Sequence, residues 1–351
     1  MGNTLSSLAA ATALLLFSIP SVANAQDSEG SGRGQLKKKT KVIDFADFEN
    51  ISLEELLEDG SMRFAFNMFG DVGGSVFAPT QDDHNVTFAL GQLGFLGTAN
   101  LGGNISSLSE FVIETVDAGT IVDLERLWLR WKRDNFFVIA GRVHTNLGYW
   151  NTAFHHGAWL QTTIARPRTI SFEDEGGILP VHSTGVELGY DLAMGSGQLH
   201  LRSTIANGRG NNPDDIRVVD DTNDAKSVLA TIFYDGGGLR VGASGLYDRI
   251  AAADATVRPD LPDETIDEVI TNVHFVLHSG DLQVTAESYT VLHMTNDDTF
   301  RTISSYAMGS YQLDKYRPYF RAEFLDVNGG IDPFFVPDAT DPGAAVGRDL
   351  V

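Results

Sequence analysis

The stretch Gly197–Asn207, GQLHLRSTIAN, alternates two kinds of side chain along its length. One set of alternate positions is apolar and the other is polar: Leu199, Leu201 and Ile205 against His200, Arg202 and Thr204. Successive side chains of a β-strand point to opposite sides, so this pattern predicts a strand whose two faces meet different surroundings. The pattern recurs along most of the chain, and the fold therefore depends on which face points inward.

Alternation of this kind predicts thirteen strands after residue 60. Five of them are the clearest, at 183–192, 197–207, 269–279, 281–290 and 316–325. The others cover 61–69, 87–96, 108–116, 121–132, 135–142, 227–235, 239–248 and 303–313. Tight turns (KRDN, MGSG, DGGG, HSGD, LDKY) alternate with longer polar loops at 143–182, 208–225, 249–266 and 294–302. Short turns at one end and long loops at the other are typical of transmembrane β-barrels.

Two architectures fit the alternation: a soluble β-sandwich that buries the apolar face, and a membrane barrel that turns it to lipid. The barrel is favoured because the segments run about ten residues, close to the length of a tilted transmembrane strand. Tyrosines gather near predicted strand ends, as at membrane interfaces. The polar face carries charges in mid-strand, which a water-filled lumen accepts and lipid does not. We therefore expect a pore lined by Glu187, Arg202, Arg240, Glu287, Arg317, Arg321 and Glu323.

The composition restricts the class of protein. The 351 residues include 47 acidic and 25 basic side chains, which gives a formal net charge of -22. No nucleic-acid partner is expected, because phosphate binding needs clustered lysine and arginine. The chain has no cysteine, which excludes a disulfide and a thiolate metal site.

The first 25 residues have the pattern of a secretory signal peptide. An apolar core at Leu8–Pro20 precedes Ala23–Ala25, which has the small-x-small cleavage pattern. The core is shorter than the roughly 20 residues of a transmembrane helix. We therefore expect export. Residues 26–60 are predicted to form a polar linker and a short periplasmic helix, and residues 61–351 the barrel.

The signal peptide, the alternating strands, the tight turns opposite long loops and the lack of cysteine together resemble the Gram-negative porins. The resemblance spans residues 61–327 and rests on architecture. It implies an all-β, antiparallel up-and-down transmembrane β-barrel of about 14–16 strands in the outer membrane, in contact with lipid. Trimerisation is typical of general porins, so the resemblance allows a homotrimer.

Single-chain bacterial barrels have even strand numbers, and this chain ends DPGAAVGRDLV without a terminal strand. We therefore expect it to lack its closing strands.

One long loop carries charges of both signs. Its basic and acidic residues are Arg142, Arg166 and Arg168, followed by Glu173, Asp174 and Glu175. Porins commonly fold one loop into the barrel, where a basic cluster faces an acidic one and selects solutes by charge and dipole. By that resemblance these residues would form a constriction, and the loop 143–182 would set the pore width. The alternative is a solvated loop whose charges pair with each other.

The same loop holds four of the nine histidines: His144, His155, His156 and His182. Imidazoles suit zinc or nickel, but adjacent histidines on an extended chain point apart and no His-x-x-x-His spacing is present. They stay weak candidates for a metal site, and no cofactor is expected. The aromatic residues of the loop either stack on sugar rings or pack the loop against the wall: Tyr149, Trp150, Phe154 and Trp159.

Catalysis is a further alternative. Barrel enzymes place Ser/His or Asp/His groups on the wall, and the chain supplies the residue types without a specific spacing, in Ser203, His200, His274 and Asp281. No phosphate-binding or dinucleotide motif is present. The sequence therefore predicts a non-enzymatic porin for passive diffusion of small hydrophilic solutes or ions. The alternative is a barrel with a metal-binding, carbohydrate-binding or enzymatic role at the loop.

Overall fold

The computed structural model describes residues 63–76, 86–116, 119–155, 161–163, 165–172, 177–213, 221, 223–258, 261–327, 332 and 334–335. The predicted signal peptide (1–25) and the predicted linker and helix (26–60) lie outside the described residues. The chain divides into two compact units, Met1–Leu127 and Trp128–Val351. Within the described ranges, no helix is long and apolar enough to cross a bilayer.

Thirteen strands form one antiparallel sheet in chain order, which confirms the predicted all-β, up-and-down arrangement. They are β1 (Arg63–Val76), β2 (Val86–Gly102), β3 (Ile105–Val116), β4 (Gly119–Arg133), β5 (Phe136–His144), β6 (His182–Met194), β7 (Gly197–Ala206), β8 (Ser227–Gly236), β9 (Leu239–Ile250), β10 (Ile266–Ser279), β11 (Leu282–Met294), β12 (Thr299–Tyr311) and β13 (Tyr319–Val327). A helix of one turn, α1 (Trp150–Ala153), and a 3₁₀ turn at Arg168–Ile170 lie between β5 and β6.

The connections alternate in length as the sequence predicts. Gly237 and Gly238 join β8 to β9 with φ values of 62° and 81°, and Asp134 has a φ of 52° between β4 and β5. Left-handed residues at these positions match the twist of a tight hairpin. The longer connections at the other end cover 145–181, 207–226 and 251–265, and a shorter one covers 295–298.

The two faces of the sheet within Trp128–Val351 differ sharply. Val186, Leu188 and Tyr190 on β6 are each more than 40% exposed, whereas Glu187 between them is 4% exposed. We call the side of Glu187 the polar face and the opposite side the apolar face. Further exposed members of the apolar face are Leu201, Ile205, Val228, Ile232, Val273, Phe275, Phe320 and Phe324. A water-soluble domain buries such a face, and the residues that the structure describes leave it uncovered.

Arg317 differs from its predicted mid-strand position. It lies in the β12–β13 connection, where it donates to Gln312 at 2.7 Å, and β13 begins only at Tyr319. The intervening Pro318 has no N–H to donate to a strand ladder, which explains why the pairing begins after it. Arg240 is the second residue of β9, close to the turn rather than in mid-strand.

The polar face also carries a buried apolar cluster that the alternation did not predict. Leu229, Leu246, Ile270 and Val291 project from β8, β9, β10 and β11 at the long-loop end. They pack with Leu147, Ile178 and Leu179 of the β5–β6 connection and with Phe334 and Phe335, which follow β13. The assignment of inward positions to polar residues is therefore incomplete at this end of the sheet.

Candidate functional site

The connection of residues 145–181, the β5–β6 loop, lies over the polar face of the sheet. Its described residues hydrogen-bond to side chains of β11 and β13, as much as 156 positions away in sequence. Two anchors, one at Glu287 and one at Arg321 and Glu323, fasten it there. The loop therefore crosses the polar face between these two anchors.

Glu287 of β11 forms the first anchor. Its carboxylate accepts hydrogen bonds from the backbone N–H groups of Tyr149 and Trp150 at 2.7 and 2.9 Å. The hydroxyls of Tyr289 and Tyr306 donate to the same carboxylate at 2.8 and 2.5 Å. The Glu287 side chain is buried beneath the loop and surrounded by donors. Its position on the polar face agrees with the sequence, but the contact it makes is with the loop.

Gly148 makes this anchor sterically feasible. It adopts a φ of +83°, and a Cβ built on it would lie 2.3 Å from Oε2 of Glu287 and 2.0 Å from the hydroxyl of Tyr289. Any other L-amino acid would be strained by the left-handed backbone and would also collide with the acceptor. The approach of the loop to β11 therefore requires glycine.

Arg321 and Glu323 of β13 form the second anchor. The guanidinium of Arg321 donates to the carbonyls of Ala165 and Arg166 at 2.6 and 3.2 Å, and it pairs with Glu323 at 2.7 Å. Glu323 in turn accepts from the backbone N–H of Arg168 at 2.6 Å. Arg321 and Glu323 are neighbours on the polar face of β13 and have opposite charges. Arg321 therefore binds backbone carbonyls of the loop, and Glu323 binds a backbone N–H.

Apolar packing joins the two anchors. Trp150 and Ile170 of the loop are fully buried against Tyr306 and Met308 of β12. Trp150 meets the Tyr306 ring edge-on, with ring centroids 5.8 Å apart. At the loop's start, the Asn146 side chain donates to Glu187 at 2.6 Å. The loop is thus attached to β6, β11, β12 and β13.

The predicted constriction residues occupy different places. Arg142 lies within β5 and is buried. Arg166 turns back into the loop, donating to the carbonyls of Ile170 and His155 and lying 3.9 Å above the Phe172 ring. Arg168 is exposed. Glu173, Asp174 and Glu175 lie outside the described residues. The predicted opposition of basic and acidic clusters therefore stays a prediction.

A row of ionic groups lies on the polar face toward the tight-turn end. Arg202 pairs with Asp191 at 2.7 Å, and Arg240 pairs with Asp235 at 2.6 Å. Both guanidinium groups approach the ring of Phe233, at 5.8 and 4.8 Å from its centroid. These arginines were among the predicted lining residues, and each meets an acidic partner on the same face. The row therefore presents charges of both signs.

A buried ionic network near the long-loop end was not predicted. The guanidinium of Arg209 donates to Glu268 at 2.8 Å, and its backbone N–H donates to Asp248 at 2.7 Å. His293 lies between Glu268 and Asp332, with ring nitrogens 2.9 and 2.7 Å from the two carboxylates. All these side chains are nearly inaccessible to solvent. No local motif marks them, because they come from three strands, the β7–β8 connection and the segment after β13.

Three of the candidate histidines lie together. His144 ends β5, His182 begins β6, and the two are direct cross-strand partners. His155, just after α1, has its ring centroid 3.6 Å from that of His144 and 4.5 Å from that of His182. His156 lies outside the described residues. The sequence signal for this cluster was the position of His144 and His182 at the two ends of a loop between adjacent strands.

The loop aromatics pack rather than present open faces. Trp150 is 0% exposed and Tyr149 is 7% exposed. Phe154 packs on both rings, at centroid distances of 4.8 and 5.9 Å. Trp159 lies outside the described residues. Stacking of Trp150 on a sugar ring would need an open face that this residue does not have.

Of the four residues considered for catalysis, Ser203 and His200 point to opposite faces of the sheet. His200 is on the polar face, where it meets Asp191 at 2.7 Å. Ser203 pairs in register with Leu188, whose side chain belongs to the apolar face. Because alternate residues of a strand project to opposite sides, the Ser203 hydroxyl and the His200 ring cannot act on one substrate.

No protein-family model matches the sequence, and no curated protein matches it significantly. Among solved structures, the anion-selective porin from Comamonas acidovorans is 13% identical; the match covers 76% of this chain and 80% of that chain with a TM-score of 0.52. The chain has a porin-like outer-membrane β-barrel fold. OmpT of Vibrio cholerae is 13% identical over 79% of this chain and 80% of that chain, with a TM-score of 0.49. OmpF of Salmonella typhi is 14% identical over 78% of this porin-like chain and 82% of that chain, with a TM-score of 0.47.

Proposed function

We propose that this porin-like chain forms a channel for the passive diffusion of small hydrophilic solutes or ions. The observation that carries the proposal is that two anchors hold the β5–β6 loop across the polar face. Glu287 holds one end of the crossing, and Arg321 with Glu323 holds the other. A loop fixed at both ends cannot be displaced by a passing solute, so it sets the width available for permeation.

The proposed location is the outer membrane of a Gram-negative cell, reached through the predicted signal peptide. The apolar face supports this location, because its side chains are exposed among the described residues and hydrocarbon accepts them readily. Lipid is then the partner of that face, and small solutes are the partners of the polar face. A homotrimer is the proposed assembly.

The charges on the polar face support permeation of charged or polar solutes. Arg202 and Arg240 are paired with Asp191 and Asp235 while they keep some contact with solvent. Arg168 is exposed on the loop. Fixed charges of both signs along a water-filled path orient dipolar solutes and discriminate ions by charge. The proposed role is therefore transport without catalysis.

Planar-bilayer recording of the purified mature protein tests this proposal. We expect stepwise increases of ionic current on insertion, together with swelling of liposomes in isotonic solutions of small sugars. Heat-modifiable gel migration identifies the folded fraction, and mass photometry in detergent determines whether that fraction is trimeric. Folded protein that inserts into bilayers and carries no current would contradict the channel function. If current is carried by protein that is only monomeric, the proposed trimer is contradicted and the proposed channel function is not.

A further inference from the structure

The base of the β5–β6 loop brings three imidazoles from separate positions into one cluster. His144 and His182 are register partners on adjacent antiparallel strands, so their side chains leave the sheet on the same side. His155 reaches them from the residues after α1. One ring nitrogen of each histidine lies within 4.8 Å of the others. His144 and His155 are 6% and 3% exposed, so the cluster is enclosed by protein.

Asn151 fixes the tautomer of one member. Its side-chain Nδ2 donates to the backbone carbonyls of Thr145 and Val181 at 2.8 and 3.0 Å. Its Oδ1 is therefore the atom that faces Nδ1 of His155, 2.9 Å away. An amide oxygen only accepts, so Nδ1 of His155 carries the hydrogen. In the neutral ring, the lone pair is then on Nε2.

His155 has the arrangement that metal-binding histidines commonly use. A ligating imidazole commonly donates its other ring N–H to a protein oxygen, which fixes the ring orientation and raises the basicity of the ligating nitrogen. Asn151 supplies that oxygen and is itself 2% exposed and held by two carbonyls. Thr145 and Val181 are also joined directly, N–H to carbonyl, at 2.9 Å. Asn151, which orients His155, is therefore bonded to both ends of the loop.

We propose that His144, His155 and His182 bind a divalent transition-metal ion, with Zn²⁺ as the reference ion. Three imidazoles suit Zn²⁺, Ni²⁺ or Cu²⁺, whereas Mg²⁺ and Ca²⁺ prefer oxygen ligands. A tetrahedral ion with Zn–N distances near 2.0–2.1 Å places its ligand nitrogens about 3.4 Å apart. The ligand nitrogens now lie within 4.8 Å of one another, so binding requires the side-chain torsions of the histidines to rotate until the nitrogens reach that separation.

The bound ion links the end of β5, the start of β6 and the segment after α1. It therefore closes the two ends of the loop and ties its first helical turn to them. The inference depends on the loop geometry and stands whether or not the chain conducts ions. Occupancy is expected to fall at acidic pH, because the imidazoles must be neutral to bind.

Zn²⁺ binding to tag-free, folded protein in detergent tests the proposal. After treatment with a chelator and removal of the chelator, we expect isothermal titration with ZnCl₂ alone to give one site per chain. His155→Ala and His182→Ala should each weaken this binding at least tenfold. His278→Ala, which removes an exposed histidine of β10, is the matched control and should bind as wild type does. Wild type that binds no more Zn²⁺ than the triple variant H144A/H155A/H182A overturns the proposal.

A second measurement uses the folded wild-type protein, so its result does not depend on whether the histidine variants fold. Wild-type protein loaded with Co²⁺ should show visible ligand-field bands of a nitrogen-ligated four- or five-coordinate ion. Asn151→Leu should weaken binding tenfold or more through loss of the Nδ1 acceptor. Thr152→Ala, which removes a neighbouring hydroxyl that donates to the carbonyl of Tyr149 at 3.1 Å, should bind as wild type does. Bands of a six-coordinate aquo ion in folded wild type, or Asn151→Leu that binds as tightly as wild type, would also overturn the proposal. Bilayer recordings of the same preparations assess conduction separately.

Discussion

The backbone N–H of Trp150 donates to the carboxylate of Glu287 across 2.9 Å, although 137 positions separate the two residues in sequence. The neighbouring N–H of Tyr149 donates to the same carboxylate. A buried carboxylate that accepts several hydrogen bonds is costly to remove, because its donors are then left without an acceptor in a dry site. This anchor is therefore where the position of the loop is most sensitive to substitution.

Glu287→Gln should loosen the β5–β6 loop. The glutamine NH₂ group would face a donor where the carboxylate now accepts, so at least one hydrogen bond is replaced by a donor–donor conflict. We expect a loss of about 2–4 kcal/mol in unfolding free energy and a larger, noisier single-channel current. Asp326→Asn is the control, since Asp326 is exposed on β13 and pairs only weakly with Arg301 at 3.9 Å. Equal current noise in both variants would show that Glu287 does not hold the loop.

Gly148→Ala should have a similar effect through sterics alone. Its methyl group would meet Glu287 and Tyr289 at well under van der Waals distance, and its φ of +83° adds backbone strain. Gly245→Ala is the control, because a Cβ at that position meets nothing within 4 Å. Hydrogen exchange of the loop amides should accelerate in G148A and stay at the wild-type rate in G245A. If hydrogen exchange is unchanged in G148A, the loop does not approach Glu287 and Tyr289 at this residue.

Arg240→Gln should shift the ion selectivity toward cations. The substitution removes a positive charge from the polar face and leaves Asp235 without its 2.6 Å partner. Arg249→Gln makes the same change in charge outside the polar face, where Arg249 pairs with Asp267 at 2.7 Å. The zero-current potential in a salt gradient should therefore move in R240Q and not in R249Q. Identical potentials would mean that Arg240 does not contact the permeation path.

Glu268→Gln should destabilise the long-loop end of the sheet. The Glu268 carboxylate holds both Arg209 and His293, and all three side chains are inaccessible to solvent. Breaking a buried ion pair by removing one partner typically costs about 3–5 kcal/mol. Urea unfolding from lipid vesicles should show a loss of this size. Glu264→Gln, in the adjacent connection, is the control. A similar loss of unfolding free energy in that variant would show that the buried network does not stabilise this end of the sheet more than other polar contacts do.

Val273→Arg should impair insertion into lipid. Val273 is 59% exposed on the apolar face of β10, and an arginine near the middle of a bilayer costs about 2–4 kcal/mol in a transmembrane barrel. Gln198→Arg adds the same group on the polar face of β7 and should fold into vesicles as wild type does. Efficient folding of V273R would contradict the assignment of this face to lipid.

The strands and turns were predictable because their signals are local. The alternation around Glu187 or in Gly197–Ala206, and the glycine pair at Gly237 and Gly238, follow from neighbouring residues alone. Pro318 shows the limit of that method, since alternation continued through it while pairing did not. The general position of the long loop was likewise predictable from the turn pattern.

The contacts of the site were not predictable, because they join residues distant in sequence. Nothing near Glu287 indicates that Tyr149 and Trp150 donate to it, and nothing near Arg321 indicates the carbonyls of Ala165 and Arg166. The histidine cluster depends on strand register, which places His144 opposite His182. A one-residue slip in that register would turn one of the two rings to the other face.

The apolar cluster beneath the loop has a consequence for assembly. At their long-loop ends, β9 and β10 carry apolar side chains on both faces, with Ile250 and Ile270 on the polar face and Tyr247 and Val269 on the apolar face. A nascent chain crossing an aqueous compartment would expose both surfaces at once, a condition that promotes aggregation. Lipid shields only one of them. In the folded chain Leu147, Ile178 and Phe334 cover the other, so substitutions that remove this cover are expected to promote aggregation.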